Sequence, residues 1–288
     1  MNMQNVKLAL IGCGDIGSRL GQQCLQQGAE VYGFRRRPEQ LPAGFVAAGI
    51  DVCKPQTLAV LGQTAFDYVV ISLTPAAFDD ESYRQTYVDG LRHVLAALDC
   101  SRLRRLLWVS SSSVYHQDDG SWVDENSATE PQRFAGRRQL QAEQLLQESL
   151  GDKAVVVRFA GIYRDGRHRW LEQLQAGTLG LPQQDYFTNR IHVADCAGVL
   201  AHLLQRDMAG KALEPVYLGV DCRPALCSEV VSWLSAQSGL PLSAQPSASQ
   251  ARTGNKRCSN RRLLDSGYTF VYPDYRSGLQ SALAASHT

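Results

Sequence analysis

Three glycines at one spacing, Gly12-Cys13-Gly14-Asp15-Ile16-Gly17, are the first residues whose pattern has a chemical use. G-x-G-x-x-G is weak evidence alone. Here it follows a short apolar run, VKLALIG, and opens a stretch in which Ile16, Leu20 and Cys24 recur at helical spacing. In that setting the first glycine allows a tight turn. The second lets the backbone approach a pyrophosphate, and the third lets helix and strand pack closely. Free N–H groups at the helix start, at the positive end of its dipole, then bind phosphate. Gly12, Gly14, Asp15, Ile16 and Gly17 are the candidate phosphate-loop residues.

About twenty residues on, an NAD-binding chain would place an acid to accept the ribose hydroxyls. This chain reads Phe34-Arg35-Arg36-Arg37-Pro38 there. A carboxylate would repel a 2′-phosphate, whereas guanidinium groups pair with it in charge-assisted bonds. The expectation is NADP(H) in preference to NAD(H), with Arg35 and Arg36 as the contacts. Asp51 and Val52, after a third strand, are placed to flank the adenine. Ser72, Leu73 and Thr74 end a fourth strand and are expected beneath the cofactor, since ligands of open α/β sheets sit at the strands' carboxyl ends.

The elements that must position these residues alternate. AEVYGF, GFVAAGID, FDYVVISL, RLLWVSS and KAVVVRF are strand-like, with helical stretches between, notably 82–98 and 136–150. Continuous β-branched runs suit strands buried on both faces of a parallel sheet. The rhythm predicts an α/β fold, a Rossmann-type doubly wound parallel sheet. Residues 1–160 plus about 188–220 are assigned to the sheet domain. Residues 161–187 plus 221–288 are assigned to a small carboxyl-terminal lobe. Leu226, Val230, Trp233 and Leu234 predict one face of a helix in that lobe. The polar stretch SAQPSASQARTGN predicts a loop.

Composition narrows the partners. A formal charge of +1 over 288 residues gives no electrostatic case for nucleic acid or membrane. No apolar run approaches the ~18 residues of a membrane span. Eight scattered cysteines without a C-x-x-C pair predict reduced thiols in a cytoplasmic protein, and the six histidines show no metal-ligand spacing.

With these pieces placed, the chain resembles the extended and atypical short-chain dehydrogenase/reductase superfamily, in its nucleoside-diphosphate-sugar epimerase-like branch. LALIGCGDIGSRL, LLWVSSSSVY, VRFAGIYRDGR, NRIHVADCAGVL, VYLGVDCRPALCSEVVSWL and the tail from Asn255 carry the resemblance, in family order. It implies a Rossmann domain, a nicotinamide dinucleotide and, in active members, a Ser/Thr–Tyr–Lys set. It also implies homodimers paired through two long helices. The serine position falls on Ser111. Where active members read Y-G-R-S-K-L-A-A-E, this chain reads Ala135-Gly136-Arg137-Arg138-Gln139-Leu140-Gln141-Ala142-Glu143. Alanine moves no proton, and glutamine supplies no positive charge.

Tyr115, His116, Tyr163 and Arg138 are the residues weighed as substitutes, with Tyr163 first among them. Basic residues cluster later in the chain, at Arg164, Arg167 and Arg169, at Arg190, at Lys256-Arg257 and at Arg261-Arg262. Asn189, Arg190, Lys256 and Arg257 are kept as candidate donors to a sugar-nucleotide diphosphate. Two function classes stay open. One is an NADP(H)-dependent oxidoreductase or epimerase-like enzyme acting on a small carbonyl or sugar-nucleotide-like substrate. The other is a non-catalytic NADP(H)-binding sensor or scaffold.

Overall fold

The computed structural model describes residues 3–165, 169–247 and 254–285. Arg167 and residues 248–253 of the serine-rich stretch lie outside the described residues. The chain begins with β1 (Lys7–Ile11), α1 (Asp15–Gln26), β2 (Glu30–Arg35), β3 (Val46–Gly49) and β4 (Tyr68–Ile71). Helical backbone then runs through α2 (Asp80–Tyr83), a π-helical turn (Arg84–Asp89) and α3 (Gly90–Ala97). Next come β5 (Arg105–Ser111), β6 (Trp122–Val123), α4 (Phe134–Leu150), β7 (Ala154–Phe159) and β8 (Gly161–Tyr163). These lead to α5 (Arg169–Gln175), β9 (Phe187–Thr188), β10 (Arg190–His192), α6 (Val193–Met208) and β11 (Val216–Gly219). The last elements are β12 (Ala225–Leu226), α7 (Cys227–Ser238), β13 (Arg257–Cys258), α8 (Arg261–Asp265) and α9 (Tyr275–Ala285).

Seven strands form one sheet in the order β11-β7-β5-β4-β1-β2-β3. β1 pairs in parallel with β2 (Leu8 opposite Val31) and with β4 (Leu8 opposite Tyr68). The chain therefore winds outward from β1 to β3, returns to β4, and winds outward again on the other side. The strand order switches between β1 and β4, where an open α/β sheet leaves a crevice at its carboxyl edge. Every residue of β4 and β7 is buried, as the apolar runs of both strands predict, with Arg158 the buried charge in β7.

The chain divides into two units. The first comprises Met1–Val114, Thr129–Arg158 and Ala197–Tyr217. The second comprises Tyr115–Ala128, Phe159–Cys196 and Leu218–Thr288. The first is built on a core in which Phe34, Ile71, Leu106, Trp108 and Leu146 are buried. Glu143 on α4 ties that helix to the sheet. Its carboxylate accepts from the Arg158 guanidinium at 2.6 Å (Nη2 to Oε2) and at 3.1 Å from Nε, and also from the Ser110 hydroxyl. All three side chains are buried.

The second unit holds its chain with three two-stranded pairings, β8–β10, β9–β12 and β6–β13. Buried Asp195 fixes the segment before α9 by accepting from the Tyr268 hydroxyl at 2.8 Å and from the N–H groups of Val271 and Tyr272. One local expectation is corrected here. Leu226 belongs to β12, opposite Phe187, and is half-exposed, so the apolar face of α7 is set by Val230 and Leu234. The helix expected over 82–98 also differs, because the π-turn interrupts it and sets Thr86, Tyr87 and Val88 inward in succession.

Candidate functional site

A cleft of about 800 Å³ opens in the first unit at the carboxyl ends of β1, β2 and β4. Gly12 and Gly14 line it, followed along the chain by Arg35 and Arg36, then Asp51 and Val52, then Ser72, Leu73 and Thr74. Asp15, Ile16 and Gly17 are not among its lining residues. They form the first turn of α1, where Asp15 pairs with Arg19 at 2.8 Å. Arg37, Gln40, Cys53, Gln85 and Thr86 also line the cleft. Arg37 belongs to the basic run already noted, while the π-turn that brings Gln85 and Thr86 here leaves no sequence signal.

The three motif glycines serve different ends. Gly12 has φ +74°, and a Cβ there would lie 2.3 Å from the Ser72 carbonyl oxygen. That contact is the close passage of β1's end past β4's end, and it requires glycine whatever is bound. Gly17 faces the Cys13 side chain, with only 3.1 Å for a Cβ. Gly14 is different. A Cβ there would meet nothing nearer than the Gly12 carbonyl at 3.8 Å. Gly14 is also the N-cap of α1, and no side chain caps the helix start. The protein's own packing therefore does not explain this glycine, whereas close approach of a phosphate to an uncapped helix end does.

Charge on the cleft wall is mostly positive, three arginines against one aspartate. The Arg35 Nη2 donates to Gln40 Oε1 at 2.6 Å. The side chains of Arg36 and Arg37 make no hydrogen bond or ion pair among the described residues. Asp51 is the acid on the lining, and its carboxylate accepts from the Cys53 N–H at 3.1 Å. Cys13, within the loop, is buried, and burial pushes its thiol up to about 11.

Ser111 ends β5, and its hydroxyl accepts from the Ser113 N–H at 3.1 Å. Gly136 brings α4 so close that a Cβ would lie 2.2 Å from the Ser113 carbonyl oxygen. Ala135 thus stands next to the serine-bearing turn with no hydroxyl to offer. Gln139 is buried, and its Oε1 has no hydrogen-bond partner among the described residues, while the nearby Tyr87 hydroxyl donates to the Leu73 carbonyl at 3.5 Å. Arg138 is held in a two-pronged pair with Asp80 at 2.7 and 2.8 Å, which makes it a surface clamp.

Tyr163 lies in the second unit's core with Ala225, Val230, Tyr275 and Leu279. Its hydroxyl sits against the Gly278 backbone, where any side chain would collide with it, and burial holds it protonated well above the ordinary tyrosine range. Tyr115 is buried and His116 exposed, both in the second unit.

The four candidate substrate donors also lie in the second unit. Asn189 bridges β13, donating to the Lys256 carbonyl at 2.9 Å and accepting from the Cys258 N–H at 2.8 Å. The Lys256 ammonium is buried and donates to the Tyr115 carbonyl at 3.3 Å. Arg257 donates to the Gly120 carbonyl at 2.8 Å, with its guanidinium 5.1 Å from the Trp122 ring centre and 5.0 Å from that of Phe187. Arg190 is buried over the Trp170 and Tyr275 rings and donates to the Thr188 hydroxyl. Each donor therefore has work within the fold.

Near Arg190, Asp221 is 1% exposed, and its Oδ2 has no hydrogen-bond partner among the described residues. Burial pushes this carboxyl up to about 7, against the opposing pull of Arg190 and the Arg223 N–H. The carboxylates of Asp274 and Asp195 push the same way as burial. The folded chain thus keeps this proton up to about pH 7, while an unfolded chain releases it near 3.8. The stabilising contribution is full below the lower value and is lost as pH rises through the upper one. Between about pH 5 and 8, wild-type unfolding free energy is expected to fall relative to Asp221→Asn, by on the order of 2–3 kcal/mol. Chemical denaturation at several pH values, giving parallel curves for the two proteins, would refute this.

A parallel doubly wound sheet with a glycine-turned, uncapped helix start at its switch point defines a Rossmann-type dinucleotide-binding protein. The chain belongs to the NAD(P)H-binding family whose model it matches over residues 12–207. Its likeness to the epimerase-like branch of the short-chain dehydrogenase/reductases holds in structure as well. A solved structure from Methylobacillus flagellatus, provisionally named an NAD-dependent epimerase/dehydratase, is 36% identical. It superposes with a TM-score of 0.84, covering 98% of this chain and 99% of that one. Protein YeeZ of Escherichia coli K12 is 26% identical over 214 residues, 71% of this chain and 75% of YeeZ. UDP-glucuronic acid 4-epimerase from Bacillus cereus, solved with UDP-glucuronic acid and NAD, is 18% identical. It has a TM-score of 0.83 and covers 98% and 99% of the two chains, a likeness of fold. Among the described residues, no helix is long and apolar enough to cross a membrane.

Proposed function

We propose that this chain binds NADP(H) in the β1–β4 cleft and is an oxidoreductase or epimerase-like protein for a small carbonyl or sugar-nucleotide-like substrate, working without the usual Tyr-x-x-x-Lys pair. The observation that carries the cofactor half is Gly14, whose empty flank lies at an uncapped helix start inside an arginine-lined cleft. These residues fit the group. Gly12 and Gly14 leave room for a pyrophosphate, the first turn of α1 faces it, and Arg35 and Arg36 suit a 2′-phosphate. Ser72, Leu73 and Thr74 lie under the remainder. A bound nicotinamide would supply hydride transfer. Ser111 is the side chain of the usual set that remains, able to hold a substrate oxygen.

A second reading, a sensor or scaffold that binds NADP(H) without turnover, draws on a specific observation. Ala135 and Gln139 replace the two proton-handling residues, and Gln139 is buried in α4. Fluorescence titration with NADPH and NADH, repeated on Arg35→Asp and Arg36→Asp, is the first test. NADPH is expected to bind more tightly, and each variant is expected to lose that preference. Tighter NADH binding would defeat the NADP(H) assignment, and no binding of either would defeat both readings. With binding in hand, turnover of carbonyl or sugar-nucleotide substrates separates enzyme from sensor.

A further inference from the structure

The arginine wall contains one contact that the NADP(H) assignment does not require. Arg35 is the last residue of β2, and its side chain is met by Gln40, five residues later, at 2.6 Å. The chain turns back to make this contact. Pro38 opens a turn of 3-10 helix over Pro38–Gln40, closed by the Leu41 N–H donating to the Pro38 carbonyl at 3.0 Å. Proline's fixed φ suits that first position. Leu41 packs over Gly33 of β2, which anchors the turn's far end. Gln40, like Arg35, lines the cleft.

We propose that Gln40 is a positioning residue for 2′-phosphate recognition, holding the Arg35 guanidinium in its binding pose before the cofactor arrives. This rests on the NADP(H) reading above. An arginine free to rotate loses side-chain entropy when it grips a ligand, and prior restraint removes part of that loss. The chemical type of the partner matters. A carboxylate would pair with Arg35 and cancel its charge, whereas an amide oxygen restrains it and leaves the full positive charge for the phosphate. The neighbouring acid, Glu39, makes no ion pair among the described residues, so the wall keeps its charge. Arg36 and Arg37, without side-chain partners, supply charge but no fixed geometry.

The test compares NADPH and NADH affinities of the wild type, Gln40→Ala and Gln40→Glu, with thermal unfolding of each. Gln40→Ala is expected to weaken NADPH about fivefold, the net contribution of one hydrogen bond, and to leave NADH unchanged. Gln40→Glu is expected to weaken NADPH further, because its carboxylate neutralises Arg35 and repels the phosphate, with no loss of NADH affinity. Thermal midpoints stay at the wild-type value, since Gln40 is exposed. A purely structural residue would move both cofactors together. If the wild type prefers NADPH and Gln40→Ala keeps the same NADPH-to-NADH ratio, the positioning role is overturned while the NADP(H) reading stands. If the wild type shows no preference for NADPH, both fall.

Discussion

Gly14→Ala should unfold at nearly the same temperature as the wild type yet bind NADPH at least about tenfold more weakly. Gly12→Ala should do the reverse in emphasis, losing the fold first. The two glycines are neighbours in one motif, and their surroundings separate them. At Gly12 a methyl group would sit 2.3 Å from the Ser72 carbonyl oxygen, just past β4, and φ is +74°, on the left-handed side. The left-handed conformation alone costs an alanine about 1–2 kcal/mol, and the collision is with backbone that cannot rotate away. A loss of roughly 3 kcal/mol is expected, which in a chain of this size lowers the midpoint by about 5 °C. At Gly14 the nearest protein atom is 3.8 Å away and φ is −90°, so the fold loses little. What a methyl group obstructs there is the approach of a phosphate to the first N–H groups of α1. Thermal unfolding and cofactor titration of the two variants decide the matter. Unchanged NADPH affinity in Gly14→Ala would remove the main support for the cofactor site.

Glu143→Ala is expected to cost about 3–5 kcal/mol, the largest single-residue loss forecast for the first unit. It leaves the Arg158 guanidinium in the interior without its counter-charge, and strips the Ser110 hydroxyl of its acceptor as well. The double substitution Glu143→Leu with Arg158→Met removes both charges. It should recover most of the loss, because a packed apolar pair avoids the desolvation of two ions. Denaturant unfolding of the three proteins checks both statements. A double variant as unstable as the single one would mean that the polar network itself specifies the packing of α4.

The cofactor half of the site was legible because its signals are local. G-x-G-x-x-G lies within six residues, and the arginine run follows the strand it terminates. The strand ends at Ser72 and Asp51 were placed by the alternation of elements, and the sheet bears out that order. What escaped depends on contacts that spacing does not encode. The cluster of Asn189, Lys256 and Arg257 looked like a set of free donors. Its partners lie far along the chain, with Tyr115 separated from Lys256 by 141 residues, and the cluster closes the second unit's own backbone. Tyr163 was weighed as a substitute acid because its turn follows a sheet strand, but packing against Gly278 in α9 encloses its hydroxyl. Gln40 gave no sign at all, since only the return of the chain after Pro38 brings it to Arg35.

The π-turn at Arg84–Asp89 makes the chain length between β4 and β5 a constrained quantity. A regular helix advances 100° per residue and cannot aim three successive side chains at one interior. The wider turn buries Thr86, Tyr87 and Val88 in succession, the first lining the cleft and the second packed edge-on against Trp108. Removing a single residue here would let the helix relax to ordinary winding. The register of everything before it would then rotate against everything after it. An insertion or deletion at this point, unlike one in a surface loop, would be felt at once in the ligand cleft and beneath α4.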